Sequence, residues 1–226
     1  MKLLAIDTST DACSVALGLG EAVLERHQVA PREHTKLVLP MVSELLAEAG
    51  IGLVDLDALV LGRGPGAFTG LRIAAGVVQG LAFSADRPVV PVSTLAMLAQ
   101  PWIEKGHAAV IAALDARMGE LYWGGFKADA QGLAVLAGEE AVLPPSAAYL
   151  PEAGHWVGVG PGFAAYADAL SGWVGVEVVD SLALPRARHA LRLAARDFAA
   201  GLAVPAEGAQ PVYLRNRVAQ TIAERG

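Results

Sequence analysis

With 226 residues, 54% of them apolar and 18% charged, the chain is long enough for a sizeable core and too apolar to be disordered. Its net charge of −6 argues against a broad basic surface for nucleic acid, and a single cysteine, Cys13, excludes an internal disulfide and fits a reducing compartment. The longest unbroken apolar run, residues 108–114, is too short to cross a bilayer, and residues 3–6 are too few for a signal-peptide core, so no membrane role is expected and the expected location is cytoplasmic.

Residues 2–7 read as a buried strand ending in the polar turn Asp7-Thr8-Ser9-Thr10. Residues 13–19 and 22–29 supply two more strands of an antiparallel meander. A helix follows from Pro31, with Leu37, Met41 and Leu45 on one side, Val38, Val42 and Leu46 on the next, and Gly50 to stop it. That apolar band is wider than one core face needs, so the helix is either sandwiched inside the protein or keeps a face for a partner.

Residues 57–61 form the next strand and run into Gly62-Arg63-Gly64-Pro65-Gly66-Ala67-Phe68-Thr69-Gly70-Leu71-Arg72, with a helix to about residue 85. Glycines let backbone approach backbone, and Thr69 is placed to cap the helix. Strand, glycine turn and helix N-terminus can hold an anion, or can simply pack strand against helix. The spacing is not G-x-G-x-x-G, and no Gly-Lys-Ser/Thr follows, so neither a Rossmann fingerprint nor a P-loop is present. Small residues, among them Gly70, Ala74, Gly76 and Gly80, would let another helix come close to this one. Residues 88–92 are a strand, and Ser93-Thr94 caps a helix over 95–105.

The pattern then repeats. Residues 110–115 end in Asp as residues 3–7 do; a five-residue turn and a strand over 121–126 follow, then a strand over 133–143 broken by Gly138. Gly158-Val159-Gly160-Pro161-Gly162 echoes Gly62-Arg63-Gly64-Pro65-Gly66. Two pairs in the same order indicate an internal duplication with its boundary near Gly106-His107, giving lobes 1–105 and 106–226, with a tail that can return to the first lobe. The second copy lacks the Thr-Gly-Leu-Arg, and a strand over 176–179, a helix over 183–200 and a helix-compatible tail complete it. From Arg186 onward seven Arg oppose three acids, a net of +4, so residues 1–185 carry −10. Arg188, Arg192 and Arg196 recur every four residues and form one stripe, either a solvated face or a contact for RNA or an acidic partner.

A duplicated unit of three meander strands followed by alternating helices and strands is the α/β, ribonuclease H-like plan of the actin, sugar-kinase and Hsp70 (ASKHA) superfamily. Asp7-Thr8-Ser9, the loop from Gly64 to Ile73, Val92-Ser93-Thr94-Leu95, Asp115-Ala116-Arg117 with Glu120 and Tyr122, and Tyr213-Leu214-Arg215 together resemble the bacterial TsaB (YeaZ) family. In that family the loop usually reads Gly-Pro-Gly-Ser-Phe-Thr-Gly, and Ala67 stands here in place of the Ser.

The resemblance implies a part in making threonylcarbamoyladenosine beside the tRNA anticodon. It implies a heterodimer with the transferase paralogue TsaD, with TsaE as a third component. The same surface could pair with a second copy as a homodimer when the chain is alone, the sequence leaving dimer and monomer both open, and tRNA is reached only through the complex. TsaD binds a metal through an H-x-x-x-H pair whose places are taken here by Thr94 and Leu98, neither a metal ligand. His27, His34, His107, His155 and His189 show no helical pairing. No metal, cofactor or catalytic residue is therefore expected in this chain; ATP or ADP and a metal belong on the partner. The candidate nucleotide- or anion-binding residues are Asp7, Gly64, Gly66, Thr69, Gly70 and Arg72, and the candidate partner-interface residues are Leu37, Met41, Leu45, Gly70, Ala74 and Val77. The alternative is a stand-alone enzyme, a peptidase or a nucleotide hydrolase. No G-x-S-x-G elbow supports a hydrolase of the α/β type, and Cys13 has no local base.

Overall fold

The computed structural model describes residues 1–171 and 175–215. The first sheet is built from β1 (Lys2–Asp7), β2 (Ala12–Leu19), β3 (Ala22–Val29), β4 (Ala58–Gly64) and β5 (Val89–Ser93), in the order β3-β2-β1-β4-β5. The second is built from β6 (Ala109–Arg117), β7 (Glu120–Ala128), β8 (Ala134–Leu143), β9 (Trp156–Val159) and β10 (Val176–Asp180), in the order β10-β9-β6-β7-β8. The two orders are the same path read from opposite ends. Each sheet is an antiparallel meander extended by two parallel strands. Gly64 and Gly160, paired by the sequence echo, share a left-handed backbone, with φ of 99° and 105°. This is the duplicated ribonuclease H-like plan.

The strands at the middle of each sheet are apolar without alternation because both faces are covered. Leu4 and Ile6 of β1 and Leu59 and Leu61 of β4 face helices α1 (His34–Ala49) and α2 (Phe68–Ala85). Leu3, Ala5, Ala58 and Val60 face the opposite way, onto α3 (Thr94–Glu104) and α6 (Ala190–Ala199). Those two helices share one core with Val110, Ala112 and Leu114 of β6. Trp123, Trp156 and Phe163 fill the far side of the second sheet, where α4 (Pro161–Ala165) and α5 (Ala167–Leu170) lie. From Ala187 the chain runs back to the first sheet, where Val204 pairs with Val89 and the Val212 N–H donates to the Arg63 carbonyl at 2.8 Å.

Three local details differ from expectation. Thr69 does not cap α2, for it is already the second residue of the helix; the capping position is Ala67, which has no side-chain acceptor. Its φ of −63° and ψ of 122° suit a capping residue. Ala67→Ser is therefore expected to raise the unfolding free energy by about 1 kcal/mol, measured by denaturant titration. The β6–β7 turn is Met118-Gly119 and not five residues long, because Arg117, Met118 and Gly119 all adopt positive φ and reverse the chain tightly. The helix expected over 183–200 starts at Ala190 instead, because Pro185 lies ahead of it and the Ala187 N–H is taken by Ser14 Oγ at 2.9 Å. The tail expected after Arg215 lies outside the described residues.

Of the described helices, α2 alone is long and apolar enough to cross a membrane. Here Leu71, Ala74, Ala75, Val78 and Ala82 are spent on the sheet.

Candidate functional site

The glycine loop lies directly on the turn that ends β1. Ala67 N–H donates to the Ser9 carbonyl at 2.7 Å, and Thr8 Oγ1 donates to the Gly70 carbonyl at 2.7 Å. A Cβ on Gly70 would overlap the carbonyl oxygen of Thr8, and one on Gly66 that of Ser9. The glycines are thus required by a backbone-to-backbone joint.

Beneath the joint, Asp7 is fully buried. Its Oδ1 accepts from Ser9 N–H at 3.2 Å and Ser9 Oγ at 2.8 Å, and its Oδ2 accepts from Thr94 Oγ1 at 3.4 Å. Burial disfavours the charged form and pushes its pKa up to about 6; the bonds from Ser9 and Thr94 and the nearby His34 pull the other way. His34, at the start of α1, is itself buried, with Nε2 2.7 Å from the Thr10 carbonyl.

A cleft of about 470 Å³ opens between the lobes beside this joint. Gly66 lines it, together with Ser9, Asp115, Tyr122, Tyr213 and Arg215. Asp7, Gly64 and Gly70 are packed below its wall and do not line it. Thr69 and Arg72 are exposed outside it. The Arg72 guanidinium stacks over the Phe68 ring at 3.9 Å and donates through Nε to Tyr213 OH at 3.2 Å. The six candidate anion-binding residues therefore divide into a packed joint, one cleft glycine and two outer residues.

Several residues of the cleft act on each other. Asp115 accepts from Arg117 N–H at 2.8 Å and from Tyr166 OH at 3.2 Å, which is turn-capping work. Arg215 donates to the Ala116 carbonyl at 3.0 Å and pairs with Glu120, fastening the C-terminal segment to the β6–β7 turn. A larger cavity of about 570 Å³ lies elsewhere, between Leu3, Gly18 and α6. Its cations are matched: Arg186 holds Glu25 by two bonds, 3.2 and 2.5 Å, and Arg192 holds Glu104 at 2.9 Å. Arg196 donates to Asp197 at 2.8 Å and to the Ala134 carbonyl at 3.3 Å. The arginine stripe is thus paired within the chain, Arg188 lying 3.7 Å from Glu25, while Arg188 and Arg192 remain about half exposed.

Burial divides the residues of the expected partner face. Met41 is 7% exposed, and Leu45, Ala74 and Gly70 are buried, so their side chains serve the core. Leu37 and Val77 are half-buried. The wide band on α1 is explained by packing on β2 and α2 together, with Arg26 of β3 reaching over to Glu44 and Glu48. What α2 does present outward is Arg72, Gly76, Gly80 and Phe83, the last 82% exposed. Periodicity marks which residues are apolar but not which side of a two-sided helix is covered, and the sandwiched alternative accounts for Met41, Leu45, Gly70 and Ala74.

Thr94 is buried with its hydroxyl on Asp7, and Leu98 lies in the shared core. Among the described residues no group of three or more His, Cys, Asp or Glu is placed to hold a metal ion. The residues at these positions do not fit a metal.

A family model described as TsaD, tRNA N6-adenosine threonylcarbamoyltransferase, matches residues 20–163. The chain is 46% identical to the tRNA threonylcarbamoyladenosine biosynthesis protein TsaB of Escherichia coli K12, over 97% of this chain and 96% of that one. It is 41% identical to the protein of the same name from Haemophilus influenzae, over 96% and 95%. The solved structure of YeaZ from Pseudomonas aeruginosa superposes with a TM-score of 0.87 at 51% identity, covering 94% of this chain and 99% of that one. Likeness at this level, over nearly full length in sequence and in fold, means that the chain belongs to the TsaB (YeaZ) family.

Proposed function

We propose that this protein is a non-catalytic subunit in the formation of threonylcarbamoyladenosine in tRNA, supporting a TsaD transferase that carries the nucleotide and the metal. The observation that carries the reading is the pair Thr94 and Leu98, which stand in the places of the transferase's two histidines. One is turned to a buried carboxylate and the other is locked in the core. TsaE joins as a third component, and tRNA is met through the complex, in the cytoplasm.

The outward face of α2 is the contact surface in this reading. Gly76 and Gly80 sit mid-helix, exposed, with nothing within 4 Å of where a Cβ would be. Such glycines cost roughly 1 kcal/mol each relative to Ala and gain the isolated chain nothing. A second helix lying against them would use the space. The same face can pair with its own copy about a two-fold axis when the transferase is absent.

Gly76→Arg separates folding from association. The monomer is expected to be as stable as wild type or more so, since Arg favours helix. Association with TsaD, measured by calorimetry, is expected to weaken about 30-fold or more, with a matching loss of the modified nucleoside from total tRNA. Unchanged association and modification would sink the contact surface. Turnover of ATP or peptide by the purified chain alone would restore the stand-alone enzyme.

A further inference from the structure

Glu140 of β8 carries a contact between the lobes that no periodicity in the sequence announces. In the pairing of β7 with β8, Trp123 faces Ala141 and Gly125 faces Ala137. Three residues, 138–140, thus stand opposite the single Gly124. Gly138 turns this bulge with a φ of 87°. Bulges re-aim side chains, and this one sends a carboxylate out of the second sheet toward the first.

There the Glu140 side chain is 6% exposed and meets two partners. Oε2 accepts from Arg63 at 3.0 Å, and Oε1 accepts from the Ser93 hydroxyl. Arg63 is in the glycine loop at the end of β4, and Ser93 ends β5. Ser93 Oγ is also the cap of α3, accepting from Leu95 N–H at 3.1 Å and Ala96 N–H at 3.2 Å. One carboxylate of the second sheet therefore fixes the glycine loop, the start of α3 and, through the Arg63 carbonyl and Val212, the returning C-terminal segment. A buried carboxylate is tolerated only when paired in this way, so its position dictates theirs.

We propose that Glu140 is a latch that sets the angle between the two lobes and holds the glycine loop, with the start of α2, in one position. The latch belongs to the isolated chain and does not depend on what that surface binds.

Hydrogen exchange of the full chain, read by mass spectrometry, tests it. Glu140→Gln keeps an acceptor for Ser93 and loses the ion pair. Amides of residues 62–70 are expected to exchange about tenfold faster or more, with those of residues 95–98 unchanged. Glu140→Ala releases both segments. Arg63→Gln leaves the buried Glu140 carboxylate without its cation and quickens residues 62–70 at least as much as Glu140→Gln does, and the double variant Arg63→Gln/Glu140→Gln goes no further than Arg63→Gln. In every variant the amides of β1 report global opening and stay slow. The latch is overturned if residues 62–70 keep wild-type exchange in Glu140→Ala, or if they quicken only in step with β1. A separate arm, resting on the proposed function, expects weaker TsaD binding by Glu140→Ala although Glu140 lies on the second sheet and not on α2.

Discussion

Gly70→Ala is expected to lower the unfolding free energy by about 3 kcal/mol or more, while Gly76→Ala, further along the same helix, is expected to raise it by about 1 kcal/mol. The two substitutions add the same methyl group. At Gly70 it meets the carbonyl of Thr8, a backbone atom that cannot turn aside, and it forces apart the bond from Thr8 Oγ1 to the Gly70 carbonyl. At Gly76 it points into open space. For a chain of this length the difference should appear as melting points roughly 8–16 °C apart. If Gly70→Ala melts with the wild type, the joint between loop and turn is not what holds α2 on the sheet.

Asp7→Asn should stabilise the protein at neutral pH. The carboxyl of Asp7 has its pKa raised by burial from 3.8 to about 6. About one pH unit below 3.8 the group is neutral in both states. As pH climbs through 3.8 the unfolded chain releases the proton while the folded one retains it, so stability falls; the loss is complete about one pH unit above the folded value of about 6. A shift of this size corresponds to about 3 kcal/mol. Asn retains an acceptor for Ser9 and can donate to Thr94 Oγ1, so it fits without the charge. Urea titrations at pH 4.5 and 7.5 should show the variant gaining on wild type by about 2 kcal/mol between the two, with the full separation of about 3 kcal/mol at the higher pH. A variant less stable than wild type at pH 7.5 would mean that the carboxylate is paired better than its burial implies.

Much of the framework was legible before any coordinates. β3 over Ala22–Val29 and the stop of α1 at Gly50 follow from the short turn that continues the meander and from a glycine that turns left-handed, local signals that tertiary packing did not override. Ser93 announced its helix because a hydroxyl one residue ahead of an apolar run has free N–H groups to meet. The duplication was legible because the same turn geometry demands glycine twice, at Gly64 and Gly160. The cap of α2 was misplaced because Ala67 carries no chemistry to mark it. The joint at Asp7 was legible as residues but not as a closed structure, since its contacts run between Thr8 and Gly70, far apart in the chain. Glu140 could not be found at all, because a bulge changes the face of a strand without changing its composition.

Of the two helices that cover the inner face of the first sheet, α3 follows β5 at once and α6 comes much later in the chain. Leu3, Ala5, Val60 and Val90 belong to strands completed by Ser93, yet α6, which packs over them, begins at Ala190. A ribosome adding about 5–20 residues each second needs roughly 5–20 s to cover that interval. During synthesis, part of an apolar surface stands uncovered while the entire second sheet is being built. The repeat seen in the sequence thus marks an ancestral join and not a line of division: a nascent first half has its strands in hand and must wait for the far end of the chain to finish its core.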